Sequence, residues 1–159
     1  MTIMPVAQVL QLALIASYLS GYSMPALDQL PEIQLMTSRG FHEQECNGNM
    51  DPKPSDPCME VVGRYTDNGT IWVDAEAING TENKRHHSMN SFIVHELTHW
   101  LQFEHAWGGM SPCSHLAARE AEAYRVQNLY IAKYDEPGAL PIDGAPVECP
   151  NRSWAITRP

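Results

Sequence analysis

Apolar residues recur at helical spacing in three segments of the chain, and this pattern predicts three helices. The segments are residues 6–20, 91–104 and 114–134. Gly21 follows the first segment and is expected to end that helix, because glycine readily adopts the left-handed conformation of a helix C-cap. The apolar positions that define its predicted core face are Leu10, Leu14, Ile15, Tyr18 and Leu19. We therefore expect the first segment to be a core helix of the domain.

β-Branched and aromatic residues predict a β-hairpin near the middle of the chain. Val61, Val62 and Tyr65 precede Asp67-Asn68-Gly69, and the run Thr70–Val73 follows. An Asn-Gly pair between two such runs is typical of a tight hairpin turn. The run Thr70–Val73 is expected to form an edge strand of the sheet.

The remaining segments predict one more strand and several loops. Residues 33–36 are expected to form a short strand, whereas residues 39–58 and 79–91 are polar or rich in proline and glycine. Five prolines interrupt residues 136–159, which predicts an irregular tail.

These elements predict an α+β fold. A small antiparallel sheet is expected to pack on the helix at 91–104, and a second long helix follows at 114–134. With 159 residues, the chain has the length of one domain, so we expect residues 1–159 to form a single domain.

The negative net charge of the chain disfavours some classes of binding partner. Lys and Arg number 10 against 19 Asp and Glu, which gives a formal net charge of -9. The sequence has no run of basic residues, so binding to nucleic acid or to an anionic membrane surface is disfavoured, because both depend on a positive patch. No segment reaches the length of a transmembrane helix. We expect no nucleic-acid partner and no membrane partner, and the oligomeric state stays open.

The four cysteines give an indication of the cellular compartment of the protein. An even count permits two disulfides, and our preferred pairing is Cys46 with Cys58 and Cys113 with Cys149. Disulfides favour an extracytoplasmic location, periplasmic or secreted. The first basic residue is Arg39, so the apolar residues 9–19 lack the positive segment of a signal peptide and are expected to belong to the domain.

The helix at 91–104 carries the motif H-E-x-x-H, as His95, Glu96 and His99. Residues four apart lie on the same side of a helix, one turn apart, so both imidazoles can bind one metal ion. Neutral imidazole is a good zinc ligand, and zinc lowers the pKa of a bound water to near 7. Glu96 is then placed to take the proton of that water as a general base.

A catalytic zinc usually has three protein ligands, and two residues compete for the third place. On a helical wheel Glu120 falls in the middle of an apolar face, with Gln127 near it, and a carboxylate there needs a partner such as zinc. The apolar members of that face are Leu116, Ala117, Ala123, Tyr124, Tyr130 and Ile131. His105 is the alternative, six residues after His99, but the extended motif with that spacing needs glycine where this chain has Gln102.

The motif H-E-L-T-H at 95–99, followed by Glu120-Ala-Glu-Ala, resembles the gluzincin branch of the zincin-like metallopeptidases. The resemblance covers roughly residues 60–132. It implies a zincin-like fold, a Zn²⁺ ion held by His95, His99 and Glu120, and Glu96 as the base. Thermolysin-like members often carry an aspartate four residues after the third ligand, where this chain has Tyr124.

The function expected from these residues is zinc-dependent hydrolysis of peptide bonds in a peptide or protein substrate. Two alternatives share the same ligands. One is a zinc amidase that acts on a non-protein substrate, and the other is a non-catalytic zinc-binding module. In a module of that kind the zinc would be closed by a fourth protein ligand, for which His105 is the candidate.

Overall fold

The computed structural model describes residues 1–46, 58, 61–66, 68–80, 87–107, 113–135 and 141, without the side chains of residues 106, 107 and 113–116. In chain order the regular elements are β1 (Thr2–Ile3), α1 (Val6–Ser20), β2 (Glu32–Met36), α2 (Ser38–Glu45), β3 (Gly63–Tyr65), β4 (Thr70–Asp74), α3 (Ala75–Asn79), α4 (Met89–Gln102) and α5 (Cys113–Tyr134). A 3-10 turn at Leu27–Gln29 precedes β2, and a π-helical turn at Phe103–Trp107 continues α4. The three predicted helices and the α+β class are therefore confirmed.

Helix α1 has the predicted bounds, but only part of its predicted face, Ile15 and Leu19, packs against the core. Gly21 ends the helix with a φ of 86°, and its N–H donates to the Ser17 carbonyl. The buried side chains are Val9, Leu12, Ala13 and Ala16. Leu14 and Tyr18, which were predicted to face the core, are 52% and 73% exposed. Apolar residues surround most of this helix, so periodicity alone did not select the face that packs against α4 and α5.

The sheet is mixed, and the prediction of an antiparallel sheet is wrong. Its strand order is β1-β2-β4-β3. β2 and β4 run parallel, from Glu32 opposite Thr70 to Met36 opposite Asp74. Parallel neighbours need a connection that carries the chain back across the sheet. That connection includes α2, which lies in a segment predicted to be a loop.

The predicted hairpin is confirmed as β3 and β4, which pair antiparallel. Gly69 has a φ of 82°, a conformation that glycine adopts without steric cost. β4 lies between β2 and β3, so the prediction that Thr70–Val73 forms an edge strand is wrong. The edge strand on this side of the sheet is β3.

Two short helices lie in or beside predicted loops, and capping residues explain them. Thr37 caps α2 by accepting a hydrogen bond from the Gly40 N–H. Asp74 caps α3 in the same way through the Ala77 N–H. The Asp74 carboxylate also accepts a hydrogen bond from the Ser38 hydroxyl, so it joins the beginnings of α2 and α3.

One of the two predicted disulfides is present. Cys46, which follows α2, is joined to Cys58 with a Cα–Cα distance of 5.5 Å. This bond ties the end of α2 to the segment that leads into β3. The predicted pair of Cys113 and Cys149 involves a side chain and a residue that are not described, because only the backbone of Cys113 is described and Cys149 lies outside the described residues. The predicted irregular tail lies outside them as well, apart from residue 141. No helix in the described part of the chain is long and apolar enough to cross a membrane.

Helix α4 lies at the centre of the fold. It packs against β3, β4, α1 and α5, so it is buried on nearly every side. Its apolar residues in the core are Ile93, Val94, Leu97, Trp100 and Leu101. Ile33, Ile71 and Val73 from the sheet join the same core. Polar residues on such a helix are necessarily buried as well, and these residues form the candidate site.

Candidate metal centre

Hydrogen bonds of Ser88 fix the start of α4 and join it to the end of α5. Ser88 caps the helix, because its hydroxyl oxygen accepts a hydrogen bond from the Ser91 N–H. The Ser88 N–H donates to the Asp135 carboxylate at 3.1 Å, immediately after α5. Since Asp135 follows α5, this contact joins the start of α4 to the end of α5. The two helices that carry the predicted metal ligands are thereby held together.

The structure brings the three predicted metal ligands into one buried group. Nε2 of His95 and Nε2 of His99 are 3.1 Å apart. The Glu120 carboxylate reaches both rings, with Oε2 3.4 Å from His95 Nε2 and Oε1 3.2 Å from His99 Nε2. His95 and Glu120 are nearly inaccessible to solvent, and the His99 side chain is 12% exposed. One ligand atom from each residue lies within 4.8 Å of the others, close enough for all three to hold a metal ion.

These separations are close to the spacing of ligand atoms around one tetrahedral ion. Zinc binds imidazole nitrogen and carboxylate oxygen at roughly 2.0–2.2 Å, so two ligand atoms on a tetrahedral ion lie roughly 3.3 Å apart. The two Nε2 atoms are 3.1 Å apart, while Glu120 Oε2 lies 3.4 Å from that of His95 and Oε1 lies 3.2 Å from that of His99. The ligand atoms therefore need little rearrangement to share one ion.

Two glutamines orient the histidines. The Gln102 side-chain oxygen lies 2.9 Å from His99 Nδ1, and the Gln127 side-chain oxygen lies 3.1 Å from His95 Nδ1. An amide oxygen can only accept a hydrogen bond, so each Nδ1 carries the proton in this arrangement. Nε2 is then the nitrogen that offers a lone pair, and both Nε2 atoms face Glu120.

The group has more acceptors than donors. Two Nε2 lone pairs and a carboxylate converge in a buried space. Glu120 Oε2 receives no hydrogen bond within the described part of the chain. Buried acceptors without a donor are costly, so the group needs a cation at its centre, either a proton or a metal ion.

The pKa values of His99 and Glu120 show how a proton satisfies this need when no metal is bound. Burial by itself lowers the pKa of His99, but the negative charge of Glu120, together with its hydrogen bond and the charge of Glu96, raises that pKa to about 9. Burial raises the pKa of Glu120, but the two histidines overcome this and hold it well below its usual range. The metal-free site therefore carries an ionised carboxylate and a protonated His99 at neutral pH.

Glu96 lies beside the group on the side of the sheet edge. Its Oε2 accepts a hydrogen bond from the Tyr65 N–H at 2.8 Å. A Cβ atom added to Gly63 would lie 2.9 Å from Glu96 Oε1, so only glycine leaves room for the carboxylate here. Burial raises the pKa of Glu96, and this effect outweighs the charges of the two histidines and the hydrogen bond from Tyr65. A carboxylate with a raised pKa is suited to accept and release protons.

Tyr124 lies against the first ligand. Its ring centroid is 4.7 Å from that of His95, with an interplanar angle of 67°. Burial and the charges of Glu120 and Glu96 raise the pKa of the Tyr124 phenol, so the hydroxyl keeps its proton. Tyr124 is therefore a hydrogen-bond donor near the group at all ordinary pH values.

His105 does not join the group. Its Nδ1 lies 3.0 Å from the Leu101 carbonyl and its Nε2 lies 2.8 Å from the Ser23 hydroxyl. Its ring stacks near Tyr22 instead. The chain thus places Glu120, and not His105, within reach of the two motif histidines.

Four residues of the site were not predicted for the roles that the structure gives them. Gln102 appears in the sequence only as a departure from glycine, and Gln127 appears only as a neighbour of Glu120 on the wheel. The spacing of three from His99 to Gln102 is a usable signal, because such residues are neighbours on a helix. Gly63 and Tyr65 carry no comparable signal, since their proximity to Glu96 depends on how β3 packs against α4.

Comparisons with known proteins supply no family for this chain, because no protein-family model, no curated protein and no solved structure matches it.

Proposed function

We propose that the protein is a zinc-dependent hydrolase of peptide bonds, with His95, His99 and Glu120 as the zinc ligands and Glu96 as the general base. The observation that carries this proposal is the convergence of two Nε2 atoms and a carboxylate at 3.1–3.4 Å, with a second carboxylate beside them. Three ligands leave a fourth tetrahedral position for water or substrate, as in catalytic zinc sites.

The set of ligands favours zinc over the other common divalent ions. Magnesium and calcium prefer sites built from oxygen atoms, whereas this group supplies two imidazole nitrogens and one carboxylate. Two imidazole nitrogens and one carboxylate are a typical set of protein ligands for catalytic zinc. The resemblance of the H-E-L-T-H motif to gluzincins points the same way.

The roles of the side chains follow from their positions. When bound at this triad, zinc supplies a Lewis acid for the substrate carbonyl and acidifies a water molecule. The carboxylate of Glu96 accepts the proton of the attacking water and returns it to the leaving amine, which its raised pKa permits. Tyr124, whose ring packs against His95 and whose hydroxyl keeps its proton, would donate a hydrogen bond to the negative charge that develops on the substrate.

β3 is an edge strand of the sheet in the described part of the chain, and we assign the binding of an extended peptide to it. The Thr66 N–H donates to the Thr70 carbonyl, and the Asp74 N–H donates to the Val62 carbonyl. Since pairing groups alternate along an antiparallel strand, the backbone of Gly63 and Tyr65 points away from β4. Tyr65 meets Glu96 on that side. A peptide added to β3 would therefore lie beside the base and the zinc ligands.

Two alternatives differ from this proposal in substrate or in catalysis. A zinc amidase would use the same ligands and the same base on a non-protein substrate. A non-catalytic zinc-binding module would need no base, and the position of His105 away from the group leaves it without that fourth ligand. The buried Glu96 beside the ligands is the feature that favours an enzyme.

The test is to load the protein with zinc and to measure zinc stoichiometry and the hydrolysis of casein and of a quenched peptide. Glu96→Gln keeps the shape of the side chain and removes the base. We expect this variant to hold one zinc ion and to lose about 100-fold or more of the hydrolysis rate. Glu104→Gln makes the same chemical change at an exposed position after α4 and should leave both measurements unchanged.

Each result has a distinct meaning. If wild type binds no zinc, the proposed function is wrong. If wild type binds zinc but cuts neither substrate, hydrolysis of N-acylated amino-sugar peptides would favour the amidase. Zinc binding without hydrolysis of any of these substrates would favour the non-catalytic module.

A further inference from the structure

Gln102 is a fully buried amide that touches a proposed zinc ligand. Its side-chain oxygen lies 2.9 Å from His99 Nδ1, and none of its surface is exposed. It lies three residues after His99 on α4, so the two side chains are neighbours on one face of the helix. The contact is therefore built into the helix that carries the motif.

Four contacts fix which way the Gln102 amide points. Its Nε2 donates to the Arg119 carbonyl and to the Glu122 carboxylate, both at 3.0 Å. These two partners can only accept hydrogen bonds. The opposite atom, Oε1, receives the Arg119 Nε donor at 3.4 Å as well as His99. A flipped amide would place its nitrogen against a donor and its oxygen against two acceptors, so only one orientation is stable.

We propose that Gln102 is a positioning residue that holds His99 as the Nδ1–H tautomer and so directs its Nε2 lone pair to the metal. The inference rests on the proposed zinc site and adds to it the residue that sets the coordinating atom of one ligand. Partners of this kind, one step away from the metal, orient the ligands and raise their basicity.

The glutamine that contacts His95 is held by fewer hydrogen bonds than Gln102. The Gln127 oxygen lies 3.1 Å from His95 Nδ1, but the Gln127 Nε2 is buried without a hydrogen-bond partner among the described residues. In that part of the chain no hydrogen bond to its nitrogen fixes the orientation of the Gln127 amide. We therefore expect Gln102 to contribute more to metal affinity than Gln127.

A residue outside α4 and α5 also helps to fix the orientation of the Gln102 amide. Glu122 Oε2, which accepts from Gln102, also accepts a hydrogen bond from the Tyr22 hydroxyl at 2.8 Å. Tyr22 follows α1, so the segment after the first helix supports the carboxylate that orients the glutamine. Substitutions at Glu122 can therefore test the role of the orientation separately from the glutamine itself.

The experiment measures zinc affinity by competition with a chromophoric chelator at one fixed pH. Gln102→Met keeps the length and approximate volume of the side chain but removes the amide, and we expect the affinity to fall by about 10–100-fold. Gln127→Met should lower the affinity by less. Gln11→Met makes the same change on the exposed face of α1 and serves as the control, with no expected change.

A second pair of variants tests the orientation without altering Gln102. Glu122→Gln keeps an acceptor for the Gln102 amide and should bind zinc as wild type does. Glu122→Leu removes that acceptor, and we expect an affinity between those of wild type and Gln102→Met. This pair decides the question if Gln102→Met fails to fold, as judged by circular dichroism of the metal-free protein.

A two-bond ¹⁵N–¹H NMR spectrum of the zinc-loaded wild type gives an independent readout. We expect His99 to carry its proton on Nδ1 and to bind zinc through Nε2. A His99 bound through Nδ1 overturns the inference, as does wild-type affinity in both Gln102→Met and Glu122→Leu, and in either case the zinc site itself stands. If wild type binds no zinc, the proposed function and this inference fail together.

Discussion

Two buried carboxylates lie at the candidate metal centre, and they differ in what surrounds them. Glu96 faces the edge of the sheet at β3, whereas Glu120 lies at the interface between α4 and α5. Glu96 faces backbone, with the Tyr65 N–H and the open space at Gly63 beside it. Glu120 faces the two histidine rings. Burial dominates at the first carboxylate and raises its pKa, whereas positive charge dominates at the second and lowers its pKa.

This difference supports the proposed roles of the two carboxylates. A carboxylate whose pKa is well below its usual range stays ionised and is a good metal ligand, while one with a raised pKa can take up and give back a proton. Residue type does not distinguish the two, because both are glutamates on buried helix faces. Their neighbours decide it, since one packs against a strand edge and the other against imidazoles.

The largest expected effect comes from Glu120→Gln. A neutral amide is a far weaker zinc ligand than a carboxylate, so zinc affinity should fall by more than about 100-fold, beyond the loss expected from partners one step away. Equilibrium dialysis against buffered zinc measures it. Glu96→Gln is the comparison, and it should retain zinc. Equal retention by both variants would show that the two carboxylates do not have different roles.

Gly63→Ala tests how the packing of β3 against Glu96 positions this carboxylate. The added methyl would lie 2.9 Å from Glu96 Oε1 and must displace the base. A shift of about 1 Å can reduce a rate about 100-fold, so hydrolysis should fall by up to that factor while zinc content is unchanged. Steady-state rates of the zinc-loaded protein check this. Gly40→Ala, in α2, is the control, and an equal loss there would point to general destabilisation.

The pH dependence of zinc affinity tests the interaction of Glu120 with the histidines at the interface of α4 and α5. His99 has a pKa of about 9 in the metal-free protein, so below that pH zinc must displace a proton. Apparent affinity should therefore rise with pH, roughly tenfold per unit from neutral pH, and level off near pH 9. Titration with a chelator at several pH values measures the slope. A flat profile over this range would mean that no proton is released on binding.

The smallest effect is expected from Ser88→Ala. This change removes the cap of α4 and its hydroxyl contact with Asp135, but it leaves both carboxylates in place. The free energy of unfolding should fall by about 1 kcal/mol, with little change in zinc affinity. Urea denaturation measures the loss. A large drop in zinc affinity would show instead that the site depends on how α4 and α5 are joined at this end.

Local pattern predicted the parts of the site that lie on one element. His95, Glu96 and His99 share α4, and the spacing of four places both imidazoles on one side. The third ligand depended on a weaker signal, a carboxylate in the middle of an apolar face, and the structure brings that residue to the histidines. Gln127 lies two turns further along α5 than Glu120, but nothing in its position on the wheel showed that it would meet His95.

The prediction of the sheet was wrong for a physical reason. Periodicity and turn residues report pairing between neighbours in the chain, so they found the hairpin of β3 and β4. The parallel pairing of β2 with β4 joins segments about forty residues apart. Nothing local to either strand encodes its distant partner. The same limit explains why the buried face of α1 was only partly predicted.

The amino-acid sequence by itself determined the three long helices, the hairpin and the placement of two histidines and a glutamate on one buried helix, because these depend on residues within a few turns of one another. The tertiary structure alone decided that Glu120 rather than His105 meets the histidines, that β3 is the strand beside Glu96, and that Gln102 faces His99 with a fixed amide. These features depend on packing between elements distant in the chain, where burial and neighbouring charges set the pKa and orientation of each group.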